Sequence, residues 1–111
     1  SPSILLMPLI GSQLGIWVAH GEGRFSMPLA ESAYNIALKF ISSDYPANPN
    51  GSPYNTAGIV SDDGRHLAMM PHLERSIFPW QWGYYQRSTG HEVTPWILAF
   101  IAARDWIAAR R

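Results

Sequence analysis

Short apolar runs, each broken off by proline, glycine or asparagine, dominate the hydrophobic pattern of this chain and read as strands more often than as helices. Leu14-Gly15-Ile16-Trp17-Val18-Ala19-His20 is β-branched and aromatic and stops at the glycines of His20-Gly21-Glu22-Gly23, which predicts a buried strand ending in a loop. Ser26-Met27-Pro28 reads as a helix entry, with proline near the first turn and Glu31 inside, so a short helix is expected over residues 28–35. Ile36 to Ile41 reads as a strand ahead of Asp44-Tyr45-Pro46. Asn48-Pro49-Asn50-Gly51-Ser52-Pro53 is made of turn formers and predicts a tight surface loop.

Two further apolar runs, Thr56–Ser61 and His66–Met70, flank Asp62-Asp63-Gly64-Arg65. Apolar runs around an Asp-Gly pair predict a hairpin, because Asp-Gly fits the turn whose twist matches paired strands. Phe78-Pro79-Trp80-Gln81-Trp82-Gly83-Tyr84-Tyr85 is aromatic and irregular. Thr94-Pro95 supplies a cap and first turn for a helix running to about Arg110, with Trp96, Phe100, Ala103 and Ile107 on one stripe and Asp105 opposite. That stripe should pack on the sheet. These strand and helix expectations are compatible with an α/β chain, and the sequence has no internal repeats.

Composition narrows the possible functions. At 111 residues, with 47% hydrophobic and 13% aromatic content, the chain fits one domain with a real core. Eight basic residues balance eight acidic ones, so no long-range field favours nucleic acid, an anionic membrane or an acidic substrate. With no cysteine there is no disulfide, no thiolate metal site and no cysteine nucleophile within these residues. Neither a secretory leader nor an apolar run of roughly 20 residues is present, so a soluble, cytoplasmic protein is expected. The chain opens on an apolar run without an initiator methionine, which suggests a piece of something larger.

The chemistry concentrates at His72-Leu73-Glu74. In an extended stretch, residues two apart face the same side, which makes the imidazole and the carboxylate neighbours. A carboxylate on one ring nitrogen fixes the tautomer and leaves the other nitrogen to exchange protons, two-thirds of a catalytic triad. By spacing alone a surface ion pair is the commoner meaning. His20-Gly21-Glu22 repeats the spacing, but zinc deaminases that use His-x-Glu also need a Pro-Cys-x-x-Cys, absent here. Histidines 20, 66, 72 and 91 show no metal-ligand spacing, and no metal is expected. Gly21 and Gly23 do not extend to a dinucleotide fingerprint. Residues 78–85 suit sugar or peptide binding, or more simply a packed lid, and no nucleophile elbow surrounds Ser52, Ser61 or Ser76.

Four motifs stand in order: Val18-Ala19-His20-Gly21-Glu22-Gly23-Arg24-Phe25; Tyr45-Pro46-Ala47-Asn48-Pro49-Asn50-Gly51-Ser52-Pro53; Gly58-Ile59 followed by Asp63-Gly64-Arg65-His66-Leu67-Ala68-Met69-Met70-Pro71-His72; and Pro79-Trp80-Gln81-Trp82. Together they resemble the C-terminal end of the phosphoribosylformylglycinamidine synthase family, over nearly the whole chain. The resemblance implies the C-terminal part of a class I glutamine amidotransferase domain, with a flavodoxin-like sheet flanked by helices and the nucleophile-bearing N-terminal part missing. It implies that a cysteine attacks glutamine and frees ammonia, which a synthetase domain uses, with ATP and magnesium, to convert formylglycinamide ribonucleotide to formylglycinamidine ribonucleotide. Glutamine and that synthetase domain are the implied partners, with no nucleic acid and no membrane.

Carried over residue by residue, the family's catalytic histidine and glutamate fall on His72 and Glu74, and His20 and Gly21 fall beside the glutamine site. The family usually has proline where this chain has Leu73, which loosens a restraint between the two side chains without removing either. Residues 1–111 alone are expected to be inactive. The alternative is a non-enzymatic interaction module whose aromatic loop docks on a synthetase domain.

Overall fold

The computed structural model describes residues 3–19, 21–82 and 92–110. They fall into two compact units, one of Ser3 with residues within 20–70 and one built from segments within 4–19 and 71–111.

The first unit carries a three-stranded sheet. Strands β1 (Ile36–Lys39), β2 (Thr56–Val60) and β3 (Leu67–Met69) lie side by side in that order, and both pairings are antiparallel. With the helix described below, they make the expected α/β composition. The central strand is buried almost throughout, as its unbroken apolar run requires. Gly58 pairs with Leu38 on one side and Met69 on the other. A β-carbon there would lie 3.2 Å from Leu38 Cδ1 and 3.2 Å from Met69 Cβ, so the glycine lets both neighbours close over the strand.

Thr56 is fully buried, and its Oγ1 has no hydrogen-bond partner among the described residues. An orphan buried hydroxyl costs about 1–3 kcal/mol, whereas a methyl group in its place costs little. Thr56→Val should therefore leave stability unchanged or raise it by about 1 kcal/mol. A clear fall in the urea midpoint would mean that the hydroxyl is paired after all.

The hairpin between β2 and β3 forms as expected, with a different turn. Ser61 N–H donates to the His66 carbonyl at 2.9 Å, and Gly64 N–H donates to the Ser61 carbonyl at 3.0 Å. Gly64 alone in the loop takes positive φ, at 75°, whereas a two-residue Asp-Gly turn needs it at Asp63 as well. The reason is the Asp63 side chain: its Oδ1 accepts from Ser61 Oγ at 2.6 Å and from Arg65 N–H at 3.1 Å, which closes a four-residue loop instead. Those bonds, the Ser61 hydroxyl first, hold the Asp63 carboxyl below its ordinary range.

Three expected elements fall short of their predicted form. The helix anticipated over 28–35 is a single 3-10 turn, Glu31–Ala33. Ala30 before it is extended, and the Leu29 amide donates to the Tyr34 hydroxyl at 2.8 Å rather than to a helical carbonyl. The strand expected at Leu14–His20 is neither regular nor buried: Trp17 makes one isolated bridge, to His72, and His20 lies outside the described residues. The strand beginning at Ile36 ends at Lys39, leaving Ile41 exposed.

In the second unit, helix α1 (Ile97–Ala108) forms where Thr94-Pro95 announced it. Thr94 does not cap it, because its hydroxyl donates to the Ser76 carbonyl at 2.6 Å. The stripe also differs. Trp96 and Ala99 are buried, while Phe100 and Ile107 are exposed. Within its unit the helix packs on the 3-10 turn Met7–Leu9. Among the described residues, no helix is long and apolar enough to cross a membrane.

Candidate functional site

Sheet pairing ends just before the candidate pair. Met70 N–H makes the last bond to the sheet, to Ala57 O at 2.9 Å, and Pro71 has no amide hydrogen with which to continue. His72 then donates its backbone N–H to Trp17 O at 2.9 Å. Its own backbone is extended, with φ −105° and ψ 100°, and it caps a 3-10 turn over Leu73–Arg75. Glu74 is the middle residue of that turn. His72 Nδ1 stands 2.6 Å from Glu74 Oε1.

The structure thus brings the two predicted catalytic residues together, but not through the alternation of a strand. The turn folds the Glu74 carboxylate back onto the imidazole. Leu73 occupies the first position of the turn, the place in a helix that best suits proline, and holds it by burying its side chain.

An ionised carboxylate only accepts hydrogen bonds, so the proton of this pair sits on Nδ1 and a neutral ring carries its lone pair on Nε2. Nε2 makes no hydrogen bond among the described residues. The Glu74 carboxyl is held below its ordinary value, chiefly by the bond from His72 and then by its own backbone amide. The pair is near the surface, with side-chain exposures of 31% for His72 and 61% for Glu74. At that exposure an ion pair contributes about 0–1 kcal/mol, so stability alone gives this pair little purpose.

Gly21 belongs to the first unit, in a turn where its φ is +56°. Asn50 Nδ2 donates to the carbonyls of Gly21 at 2.6 Å and Gly23 at 2.8 Å. Asn48, itself buried, braces the loop that carries Asn50 by donating to Ser52 O at 3.0 Å and accepting from Ser52 N–H at 3.0 Å. Two of the four sequence motifs are therefore tied together by one side-chain amide. His20, the other residue placed beside the glutamine site, and His91 lie outside the described residues. No three His, Asp or Glu side chains among the described residues are grouped to hold a metal ion.

The aromatic segment is only partly a packed lid. Gln81 accepts the Phe78 amide at 2.9 Å through its side chain, and its carbonyl accepts from Trp17 Nε1. Trp82 Nε1 donates to Ser76 O at 2.7 Å, and the Trp82 ring covers Gly15. Trp80, by contrast, is 79% exposed and stacks on Phe78 with ring centroids 5.9 Å apart. Residues 83–85 lie outside the described part.

The serines serve structure. The Ser61 hydroxyl is engaged by Asp63 in the hairpin loop. Ser76 is fully buried, its hydroxyl donating to His72 O at 3.2 Å and accepting from Trp17 N–H at 3.4 Å. A hydrolase using either finds no free nucleophile. Sequence reasoning weighed Ser76 only as a nucleophile and read Asn50 only as a turn former; a lone serine or asparagine carries no local signal of a partner far along the chain.

A sequence model of the family described as CobB/CobQ-like glutamine amidotransferase domain matches residues 1–107. Among similar proteins, the probable phosphoribosylformylglycinamidine synthase, chloroplastic/mitochondrial, of Arabidopsis thaliana is 44% identical over 122 residues, which take in 96% of this chain and 9% of that protein. The phosphoribosylformylglycinamidine synthase of Homo sapiens is 44% identical over 118 residues, covering 95% of this chain and 9% of its own length. The probable phosphoribosylformylglycinamidine synthase of Caenorhabditis elegans is 35% identical over 133 residues, covering 94% and 10%. This chain spans about a tenth of the length of the curated relatives it matches.

Proposed function

This chain belongs to the CobB/CobQ-like glutamine amidotransferase domain family, and from that premise we propose that it is the C-terminal part of the glutaminase domain of a phosphoribosylformylglycinamidine synthase. The observation that carries the reading is the hydrogen bond from His72 Nδ1 to Glu74, which leaves Nε2 open to a substrate or nucleophile. In this reading the domain is of the flavodoxin-like class I type. The antiparallel strands β1–β3 belong to its edge, since otherwise parallel sheets commonly carry antiparallel strands there.

The chemistry follows from the pair. His72 Nε2 takes the proton of a cysteine thiol, and Glu74 stabilises the imidazolium that forms. The thiolate adds to the side-chain amide carbon of glutamine. As the tetrahedral adduct collapses, His72 returns the proton to the departing nitrogen, so ammonia leaves and a thioester remains. With His72 as base, water then cleaves the thioester to glutamate and the free thiol. The thiol comes from elsewhere in the parent protein, because residues 1–111 contain no cysteine. By the same resemblance, His20 and Gly21 are assigned to glutamine binding. ATP and magnesium serve the synthetase domain, which uses the ammonia on formylglycinamide ribonucleotide. The parent works in the cytoplasm, or in an organelle where its relative's name says so.

Purified residues 1–111 should release no ammonia from glutamine above the background rate. Measurable release that disappears in His72→Ala would sink the claim that the nucleophile lies elsewhere. A docking role has one observation of its own, the exposed Trp80 stacked on Phe78. A rigid exposed aromatic is the kind of residue that anchors interfaces, and in a parent with a synthetase domain the two roles are compatible.

A further inference from the structure

We infer that Ser76 is a positioning residue for His72, an assignment that rests on the proton-relay reading above. Both backbone polar groups of His72 are fixed. Its N–H donates to Trp17 O at 2.9 Å, and its carbonyl accepts from Arg75 N–H at 3.3 Å and from Ser76 Oγ at 3.2 Å. The Ser76 hydroxyl also accepts the Trp17 amide at 3.4 Å, so one oxygen touches both segments that hold the histidine. Its backbone extends the brace: Ser76 N–H donates to Leu73 O at 3.1 Å, while Ser76 O accepts from Trp82 Nε1 at 2.7 Å and Thr94 Oγ1 at 2.6 Å.

The side chain is fully buried, so nothing from solvent competes for these bonds. Its arrangement is more specific than filling space requires. The turn that carries Glu74 begins at His72 and ends at Ser76, so fixing the serine fixes the angle at which the carboxylate meets Nδ1. Small displacements at a relay of this kind lower the rate of the chemical step while leaving substrate binding alone. Without the hydroxyl, the turn keeps its backbone bonds but loses the link between Trp17 and the His72 carbonyl.

The test uses the full-length parent protein, with glutamine-dependent and ammonia-dependent synthesis measured on the same preparations. Ser76→Ala should lower kcat for glutamine about 10-fold, with KM for glutamine unchanged and the ammonia-dependent rate intact. Ser76→Thr, which keeps the hydroxyl, should recover most of the loss. Wild-type kcat in Ser76→Ala overturns the inference, as does a loss that Ser76→Thr does not repair or one that comes with a raised KM for glutamine and a lowered melting temperature. If Ser76→Ala does not fold, Ser76→Cys takes its place with the same criteria, since a thiol is a weaker donor of similar size. His72→Ala is measured in parallel. If it keeps the glutamine-dependent rate, the relay reading fails; if it is dead while Ser76→Ala is normal, only the positioning role fails.

Discussion

His72→Ala in the full-length parent should cut glutamine-dependent ammonia release by about 10²–10⁴-fold, the contribution typical of a positioned general acid and base. Synthesis supplied with external ammonia should be unaffected, because it bypasses the step in which His72 takes part. Glu74→Gln keeps the shape but replaces an ionised acceptor, so the ring is held less firmly in the tautomer with Nδ1–H and the imidazolium is supported less. A smaller loss, about 10²-fold, is expected there. Equal loss of ammonia-dependent synthesis in both variants would point to general damage and sink the assignment.

The pH behaviour of the pair has a definite sign. The carboxyl of Glu74 is lowered in the folded chain, so the support it gives is fully present above the ordinary glutamate value and is lost as pH falls through the lowered one. Any limb in the rate profile between about pH 5 and 8 therefore belongs to another group, and Glu74→Gln should not erase it. The effect on stability is small, because the carboxylate is mostly exposed and screened.

Trp96→Ala should be the most destabilising single change, at about 3–5 kcal/mol. Trp96 is only 4% exposed, and its Nε1 donates to Gly15 O at 2.8 Å, joining the segment before α1 to the segment that carries Trp17. Truncation removes the one buried aromatic ring among the described residues and leaves a carbonyl without its partner. Domains of this size have about 5–15 kcal/mol in total, so the loss is a large fraction of the whole. Trp96→Phe restores much of the packing but not the hydrogen bond, and should cost less. Urea unfolding followed by circular dichroism separates the variants; a cost below about 1 kcal/mol for alanine would mean that the ring carries little of the packing.

What could be read from the residues alone follows the range of the forces involved. The β2–β3 hairpin was legible because both strands and their turn lie within a few residues of each other. Only the turn type escaped, since it depends on the Asp63 side chain bonding inside the loop. The His72–Glu74 pair was legible for the same reason of nearness, although a 3-10 turn rather than an extended strand brings the groups together. Leu14–His20 was misread as a buried strand because a strand needs a neighbour, and Trp17 finds its contacts with His72 and with Ser76, 59 residues away.

The inward face of α1 was ambiguous from the start. Ile97, Leu98, Phe100, Ile101, Trp106 and Ile107 surround the helix with apolar side chains, so periodicity cannot choose a side and tertiary partners decide. Membership of the amidotransferase family came from none of these signals. It rested on four motifs in order, and all four take part in turns and braces: Asn50 on the Gly21 loop, the hairpin that leads to His72, and Trp82 on Ser76.

Asn50 gives both amide hydrogens to a loop that lies 27–29 residues earlier in the chain, at Gly21 and Gly23. A loop held in this way is not portable. Anyone transplanting residues 21–23 into another scaffold must carry the Asn50 turn with them, at its native spacing, or the graft will arrive without the hand that shapes it.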